Sequence, residues 1–445
     1  MGRGIKSIIK RDGQVVPYDR SRITNAIFKA AASTGGFGFE ESDRLARLVE
    51  ARTGESYSEQ IPTVEDLQDI VEAVLMENGH LRTARAYIIY RQKRTEIREA
   101  RRGAVEATDN IPYKLIYEVL RWNMEHGCES LEGLNRIIAE GRYPELVTAC
   151  EERYDNECRA AGKRMLEHGD DLRLVIVAGP SSSGKTTTTM KLEEHLVAHG
   201  KRLKSLNVDH YFYDLEMHPK DEFGDYDYET PQALDIDLIN RHLEQLLAGR
   251  TVKTPHYDFH TGRRTLDVHE MRLAEDEILL MDCLHGLYSD MTCSIPDHRK
   301  FRLYIETLGQ QRNDRDEFMR WADHRLLRRM IRDSWHRSHD PMQTLTHWHY
   351  VRKSELQHII PFIGNVDFVV NSAMAYEMPV LKRRLFHFLP EAIDLYRQDF
   401  KRQDAYLRAQ RIMNFLDPLR TDIDETCIPE TSLFREFIGG SAYAY

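Results

Sequence analysis

The chain of 445 residues is long enough for two or three domains, and its 41% hydrophobic content supplies sizeable cores. A formal net charge of −10 gives no overall attraction for nucleic acid or an anionic membrane. No apolar run nears the roughly 20 residues of a membrane span, MGRGIKSIIKRDG lacks the apolar core of a signal peptide, and the six cysteines form no close C-x-x-C pair, so a cytoplasmic protein with reduced thiols and no nucleic-acid or membrane partner is expected.

Residues 1–98 form the first region. It opens with SIIKRDGQVVPYD, two short strand-like runs about an Asp12-Gly13 turn. SRITNAIFKAAAS, ESDRLARLVEART and TVEDLQDIVEAVLMENG follow with helical patterns, and Ser21 and Thr63 are the expected N-caps. The last helix, LRTARAYIIYRQKRTEIREARR, ends in basic residues that suit the helix dipole. Lys10 and Arg11 beside the turn, with Arg22 on the next helix, make a compact cationic site suited to a triphosphate. The alternative is a charged helical module used only for association. IIKRDGQVVPYDRSRITNAI, TVEDLQDIVEAVLMENG and ARAYIIYRQKR resemble the ATP-cone, the nucleotide-sensing domain of ribonucleotide reductases and of their transcriptional repressor. That resemblance implies ATP or dATP as an effector, contacts at Lys10, Arg11, Arg22, Gln68 and Arg91, and a homo-oligomer. Val16 and Asp19 depart from the polar residues of reductase cones.

Residues 99–170 read as a helical connector of mixed charge or an extension of the next domain, with apolar residues three and four apart in IPYKLIYEVLRWNME and PELVTACEERYDNECRAAGKRMLEHG. From 171 to 385 apolar runs (LRLVIVAG, RLKSLNVDHYF, EILLMDCLHGLY, FRLYIET, VDFVVNS) alternate with helical stretches. This pattern predicts an α/β domain, a parallel sheet flanked by helices, preceded by the small mainly helical domain. Residues 386–445 read as a helical extension and a tail.

VIVAGPSSSGKTTTT carries the most specific signal. Gly179, Pro180, Ser181, Ser182, Ser183, Gly184, Lys185 and Thr186 satisfy G-x-x-x-x-G-K-[ST] at every fixed position, with a strand before and a helix after. Glycines let the backbone curl so that its N–H groups face phosphate oxygens. The helix start, from Lys185 through Thr187, offers its positive end. Lys185 can reach the β- and γ-phosphates of ATP, and the Thr186 hydroxyl can bind Mg²⁺.

The fate of the phosphate depends on later residues. Asp209 ends the next strand, where ligands bind in open α/β sheets. It can take the proton of an attacking hydroxyl or cap a turn. Asp282 ends another apolar strand, a position suited to Mg²⁺. Tyr257, Phe259 and His260 precede Arg263 and Arg264, so this stretch can stack on a base or cover a sugar, or simply pack a loop. Arg325, Arg328, Arg329 and Arg332 recur at helical spacing, with Arg337 beyond. They read as a solvated face or as a lid closing over phosphates, with Arg332 and Arg337 best placed to stabilise the transfer.

GPSSSGKT, VDHYFYD, YDYETPQALD, TPHYDF, the acid-ended strand before HGLY, and RRMIRDSWHR together resemble the uridine kinase and phosphoribulokinase family over about 170–380. The resemblance implies a P-loop kinase acting on a sugar hydroxyl, with Asp209 as catalytic base, Asp282 supporting Mg²⁺, and Asp227, Tyr257 and Phe259 at the nucleoside. Gly262 stands where uridine kinases carry a histidine, and Asp282-Cys283 replaces their usual Glu-Gly. The expected activity is ATP-dependent phosphorylation of a nucleoside under control of the cone. The alternatives are a kinase for another sugar or sugar phosphate, or a nucleotide-responsive regulatory ATPase.

Overall fold

The computed structural model describes residues 5–9, 15–57, 61–102, 111–219, 226, 230–336, 340–399 and 402–443, without the side chains of 93–102 and 335–336. The chain divides into two compact units, Met1–Thr108 with Leu395–Gln403, and Asp109–Asp394 with Asp404–Tyr445.

In the first unit β1 (Ser7–Ile9) pairs antiparallel with β2 (Val15–Pro17), and the expected turn between them lies outside the described residues. Four helices follow: α1 (Arg20–Ala32), α2 (Phe39–Ser56), α3 (Val64–Glu77) and α4 (Leu81–Arg102). Their apolar stripes meet in one core that includes Ile27, Leu45, Val49, Val71, Leu75 and Tyr87. Thr63 caps α3 in a full capping box with Asp66. The cap of α1 is Asp19, not Ser21. Asp19 has extended backbone, and its carboxylate accepts from the Ser21 N–H (3.0 Å) and hydroxyl (2.6 Å), so Ser21 already lies in the first turn.

The second unit begins with α5 (Tyr113–Glu125), α6 (Leu131–Ala139) and α7 (Tyr143–Leu166). These helices pack within this unit. Along α7, Tyr154 exchanges a hydrogen bond with Thr188 (2.7 Å), and Glu157 accepts from the Asn371 N–H (2.7 Å). The sheet strands are β3 (Leu174–Ala178), β4 (Arg202–Asn207), β7 (Glu277–Asp282), β8 (Lys300–Glu306) and β9 (Phe368–Asn371). The five expected apolar runs all enter one parallel sheet, in the order β4-β7-β3-β8-β9. Every residue of β3 is buried, as an apolar run covered on both faces requires.

Between β3 and β4 runs α8 (Lys185–Val197). Between β4 and β7 come α9 (Ile236–Leu247) and a separate antiparallel hairpin, β5 (Val252–Asp258) with β6 (Arg263–Met271). Ile239, Leu243 and Leu246 of α9 share a core with Leu174, Ile176, Leu279 and Met281 of the sheet. After β8 follow α10 (Trp321–His336) and α11 (Pro341–His358). Beyond β9 lie α12 (Glu377–Leu385), α13 (Phe388–Tyr396), α14 (Gln403–Leu416) and a four-residue α15 (Arg435–Ile438). The chain passes from β3 to β4 on one side and reaches β8 on the other. This reversal opens a crevice at the carboxyl end of β3.

Candidate active site

The phosphate loop leaves β3 at that crevice. A Cβ on Gly179 would run into the Ile305 carbonyl, so only glycine fits there. Ser182 (φ 60) and Gly184 (φ 88) take left-handed conformations that curl the loop into the start of α8. The Lys185 ammonium donates to the Gly179 carbonyl at 3.0 Å and folds back over its own loop. The buried Ser182 and Ser183 hydroxyls have no hydrogen-bond partner among the described residues. Unsatisfied donors inside a curled loop suit an oxygen-rich anion.

Register places the acids. Asp282 of β7 lies opposite Val177 of β3 on one side and Asn207 of β4 on the other. Gly179 is two residues past Val177, and Asp209 is two past Asn207, so loop and both acids emerge at one sheet edge. Asp209 sits in a short 3₁₀ turn whose start is fixed by the Asn207 side chain, which accepts from the Asp209 N–H at 3.0 Å. Protein packed around the crevice pushes its carboxyl above the ordinary 3.8, outweighing the pull of Lys185 and His210. Burial pushes Asp282 up to about 6 against the pull of Lys185, with Glu436 and Asp209 adding negative charge.

Thr186 and Asp282 offer oxygen donors, and Glu436 and Asp209 add negative charge at Asp282. This donor set fits Mg²⁺. Among the described residues no cluster of three or more His, Cys, Asp or Glu is placed to hold a metal. Mg²⁺ commonly takes one or two carboxylates with substrate phosphates and water, so this too is compatible. A raised carboxyl destabilises the folded state once ionised. The stability is present below pH 3.8 and lost as pH rises through about 6. Asp282→Asn should therefore raise the unfolding free energy of the metal-free protein at pH 7 by up to about 3 kcal/mol, from about 1.4 kcal/mol per pKa unit. The gain should fade below pH 4. Denaturant titration at both pH values measures it.

The arginines of α10 have two fates. Arg325 and Arg328 are 1% and 0% exposed. Arg325 donates to Glu306 (2.8 Å) and to both oxygens of Glu355 (2.5 and 3.0 Å). Arg328 forks onto Glu377 (2.8 and 2.5 Å). The same guanidiniums donate to the Ser181 (3.1 Å) and Ser182 (3.4 Å) carbonyls, so they brace the phosphate loop from behind. Arg329 donates to the Ser181 hydroxyl at 3.1 Å. Arg332 lies 3.6 Å from Asp333 and 3.8 Å from Glu436, near the start of α8. Arg337 lies outside the described residues.

On the acceptor side, Tyr257 is 2% exposed and packs against Phe212 and Phe259, while Phe259 is 61% exposed at the hairpin tip. His260 is exposed in the turn, where its N–H donates to Asp258. Arg264 pairs with Asp235 at 2.9 Å and lies over the Tyr213 ring. Asp227 lies outside the described residues. In the first unit Lys10 and Arg11 also lie outside them. Arg22 is open to solvent, 3.4 Å from Asp19. Gln68 and Arg91 stand on α3 and α4, and Arg91 pairs with Glu65, Asp69 and Glu72 of α3.

A residue absent from the sequence-based set enters the site from the far end of the chain. Glu436 of α15 accepts from the Thr187 hydroxyl at 2.8 Å and from its N–H at 3.4 Å. The only sequence signal was the double glycine after REFI, which allows the tail to turn.

Loop, parallel strand order and strand-end acids define an α/β domain of the P-loop kinase class. Residues 174–378 match the Phosphoribulokinase / Uridine kinase family, and residues 6–96 match the ATP cone domain. The chain thus carries a domain of each. It is similar to a uridine kinase of Deinococcus deserti, 27% identical over 195 residues, 44% of this chain and 84% of that protein. It is also similar to a vitamin B12-dependent ribonucleoside-diphosphate reductase of Thermoplasma acidophilum, 43% identical over 100 residues. That match spans 21% of this chain and 13% of the reductase. Among solved structures it is similar to a possible uridine kinase from Bacillus stearothermophilus, 14% identical, covering 45% of this chain and 89% of that one, with a TM-score of 0.31. No helix among the described residues is long and apolar enough to cross a membrane.

Proposed function

We propose that the protein transfers the γ-phosphoryl group of ATP to a sugar hydroxyl, with a nucleoside of the uridine type as the favoured acceptor. The observation that carries this reading is the register that brings the phosphate loop, Asp209 and Asp282 to one sheet edge. Asp209 takes the hydroxyl proton while that oxygen forms its bond to the γ-phosphorus. The bond to the β–γ bridging oxygen breaks and ADP leaves. Lys185 and Arg332 are the cations suited to hold the phosphates, and Arg337 is a further candidate. Mg²⁺ held by Thr186 and Asp282 would neutralise phosphate charge. Exposed Phe259 is the aromatic best suited to cover an acceptor, with His260 next to it in sequence and Asp227 as a further candidate. Buried Tyr257 and paired Arg264 would support that wall from beneath. The raised Asp209 carboxyl suits a base, because a higher pKa strengthens the driving force for proton removal.

The test offers Mg-ATP with a panel of nucleosides, sugars and sugar phosphates and follows ADP release. Release stimulated by one nucleoside supports the reading. Release that ignores every acceptor favours a regulatory ATPase instead.

The ATP cone is the proposed effector site for ATP or dATP, acting through association of copies of the chain in the cytoplasm. Coupling requires two states with different effector affinity. ATP or dATP should shift the sedimentation coefficient or the kinase rate, and Lys10→Ala with Arg22→Ala should abolish the shift.

A further inference from the structure

The start of α8 already holds an anion, supplied by the chain itself. The Glu436 carboxylate is 5% exposed. It accepts from the Thr187 hydroxyl (2.8 Å) and N–H (3.4 Å), in the first turn of the helix that follows the phosphate loop. Its other oxygen lies 3.8 Å from the Arg332 guanidinium. A first-turn N–H, an adjacent hydroxyl and an arginine from the helix behind are the partners a nucleotide phosphate takes at such a loop.

The segment around Glu436 is firmly seated. Leu433, Phe434 and Phe437 are each 0% exposed. The Leu433 side chain occupies the space beside Gly184 where a Cβ would project. Phe437 lies 5.0 Å from the Arg328 guanidinium and 6.0 Å from that of Arg332. Behind it, the Ser432 hydroxyl meets the Tyr376 hydroxyl at 2.9 Å, and that phenol donates to Glu151 at 2.5 Å. The contacts therefore reach the glycine, the helix start and the arginine helix of one site together.

We infer that the C-terminal segment 432–438 is an internal competitor of the nucleotide, in which Glu436 takes a phosphate's place at Thr187 until ATP displaces it. A carboxylate and a phosphate in contact repel each other, and Thr187 cannot serve both with the same donors. The free protein is thus held in a state that ATP must pay to leave, and its apparent affinity falls by the fraction of molecules with the site open. Displacement would put a phosphate in place of the Glu436 carboxylate beside Arg332.

The inference rests on the loop being an ATP site. Binding of Mg-ATP by calorimetry to the full chain and to Glu436→Ala tests it. The variant should bind at least about 10-fold more tightly, the size expected if the open form is a tenth or less of the free protein. Unchanged or weaker binding would overturn the inference while leaving the loop reading intact. No binding by either protein would overturn both. If the variant does not fold, hydrogen exchange of the wild-type amides at 433–438 decides the matter. Saturating ATP should speed their exchange, and unchanged or slower exchange marks the segment as a fixed wall.

Discussion

Asp209→Asn should lower kcat for phosphoryl transfer by about 10²- to 10⁴-fold, the usual contribution of a positioned general base. Asparagine keeps the size and polarity of the side chain but cannot take the hydroxyl proton. In the proposed mechanism Asp209 acts on the acceptor hydroxyl and not on ATP, so the KM for ATP should stay within a few-fold. Steady-state kinetics with the stimulating acceptor gives both constants. The pH profile of the wild type adds a sign. The protein packed around the crevice raises the Asp209 carboxyl although its side chain reaches solvent, so its ionised form is lost at a higher pH than for a free aspartate. The rate should fall on acidification from a point above 3.8. Loss of kcat together with ATP binding in Asp209→Asn would show instead that the residue shapes the donor site.

Glu377→Ala should cost about 3–5 kcal/mol of folding stability, the range for removing one partner of a buried ion pair. Glu377 is 0% exposed and accepts from Arg328 on both oxygens and from His324 at 2.8 Å. Without it the Arg328 guanidinium, also 0% exposed, keeps its charge in the interior, and its remaining hydrogen-bond partners among the described residues are neutral oxygens of Ser182 and Ser372. Burial pushes the Glu377 carboxyl up, but the Arg328 and His324 charges prevail and hold it at about 2. A depressed carboxyl stabilises the fold above its unfolded value of 4.5, and that support is lost as pH falls through 4.5 toward 2. Urea unfolding at pH 7 should show the full loss in the alanine variant, and wild type and variant should converge toward pH 2. Because Arg328 also holds the Ser182 carbonyl, ATP affinity should weaken in parallel.

Much of this architecture was legible in the sequence, for identifiable reasons. Strands covered on both faces must be apolar throughout, so β3, β7 and β8 stood out from their surroundings. The phosphate loop is a contiguous motif whose chemistry needs those residues in that order. The hairpin was not legible, because β6 is exposed at most positions and RRTLDVHEM shows no usable apolar alternation. The arginine ladder was legible as a ladder but not as two sets. Arg325 and Arg328 are buried by Glu306, Glu355 and Glu377, which lie 19, 30 and 49 residues away, and helical spacing carries no record of partners so distant. The same holds for Glu436, which meets Thr187 across 249 residues. The cap of α1 lies two residues before the expected Ser21, because Asp19 and Ser21 are both good caps and only the backbone conformation separates them.

The central claim is that the phosphate held by the loop passes to a hydroxyl of a second molecule. Incubation with γ-labelled ATP, Mg²⁺ and a nucleoside, followed by mass spectrometry of the products, tests it most directly. The account predicts label on the sugar hydroxyl of the nucleoside, one equivalent for each ADP formed, and labelling about 10²- to 10⁴-fold slower with Asp209→Asn. Label recovered only as inorganic phosphate, at the same rate with and without any nucleoside, sugar or sugar phosphate, would contradict it.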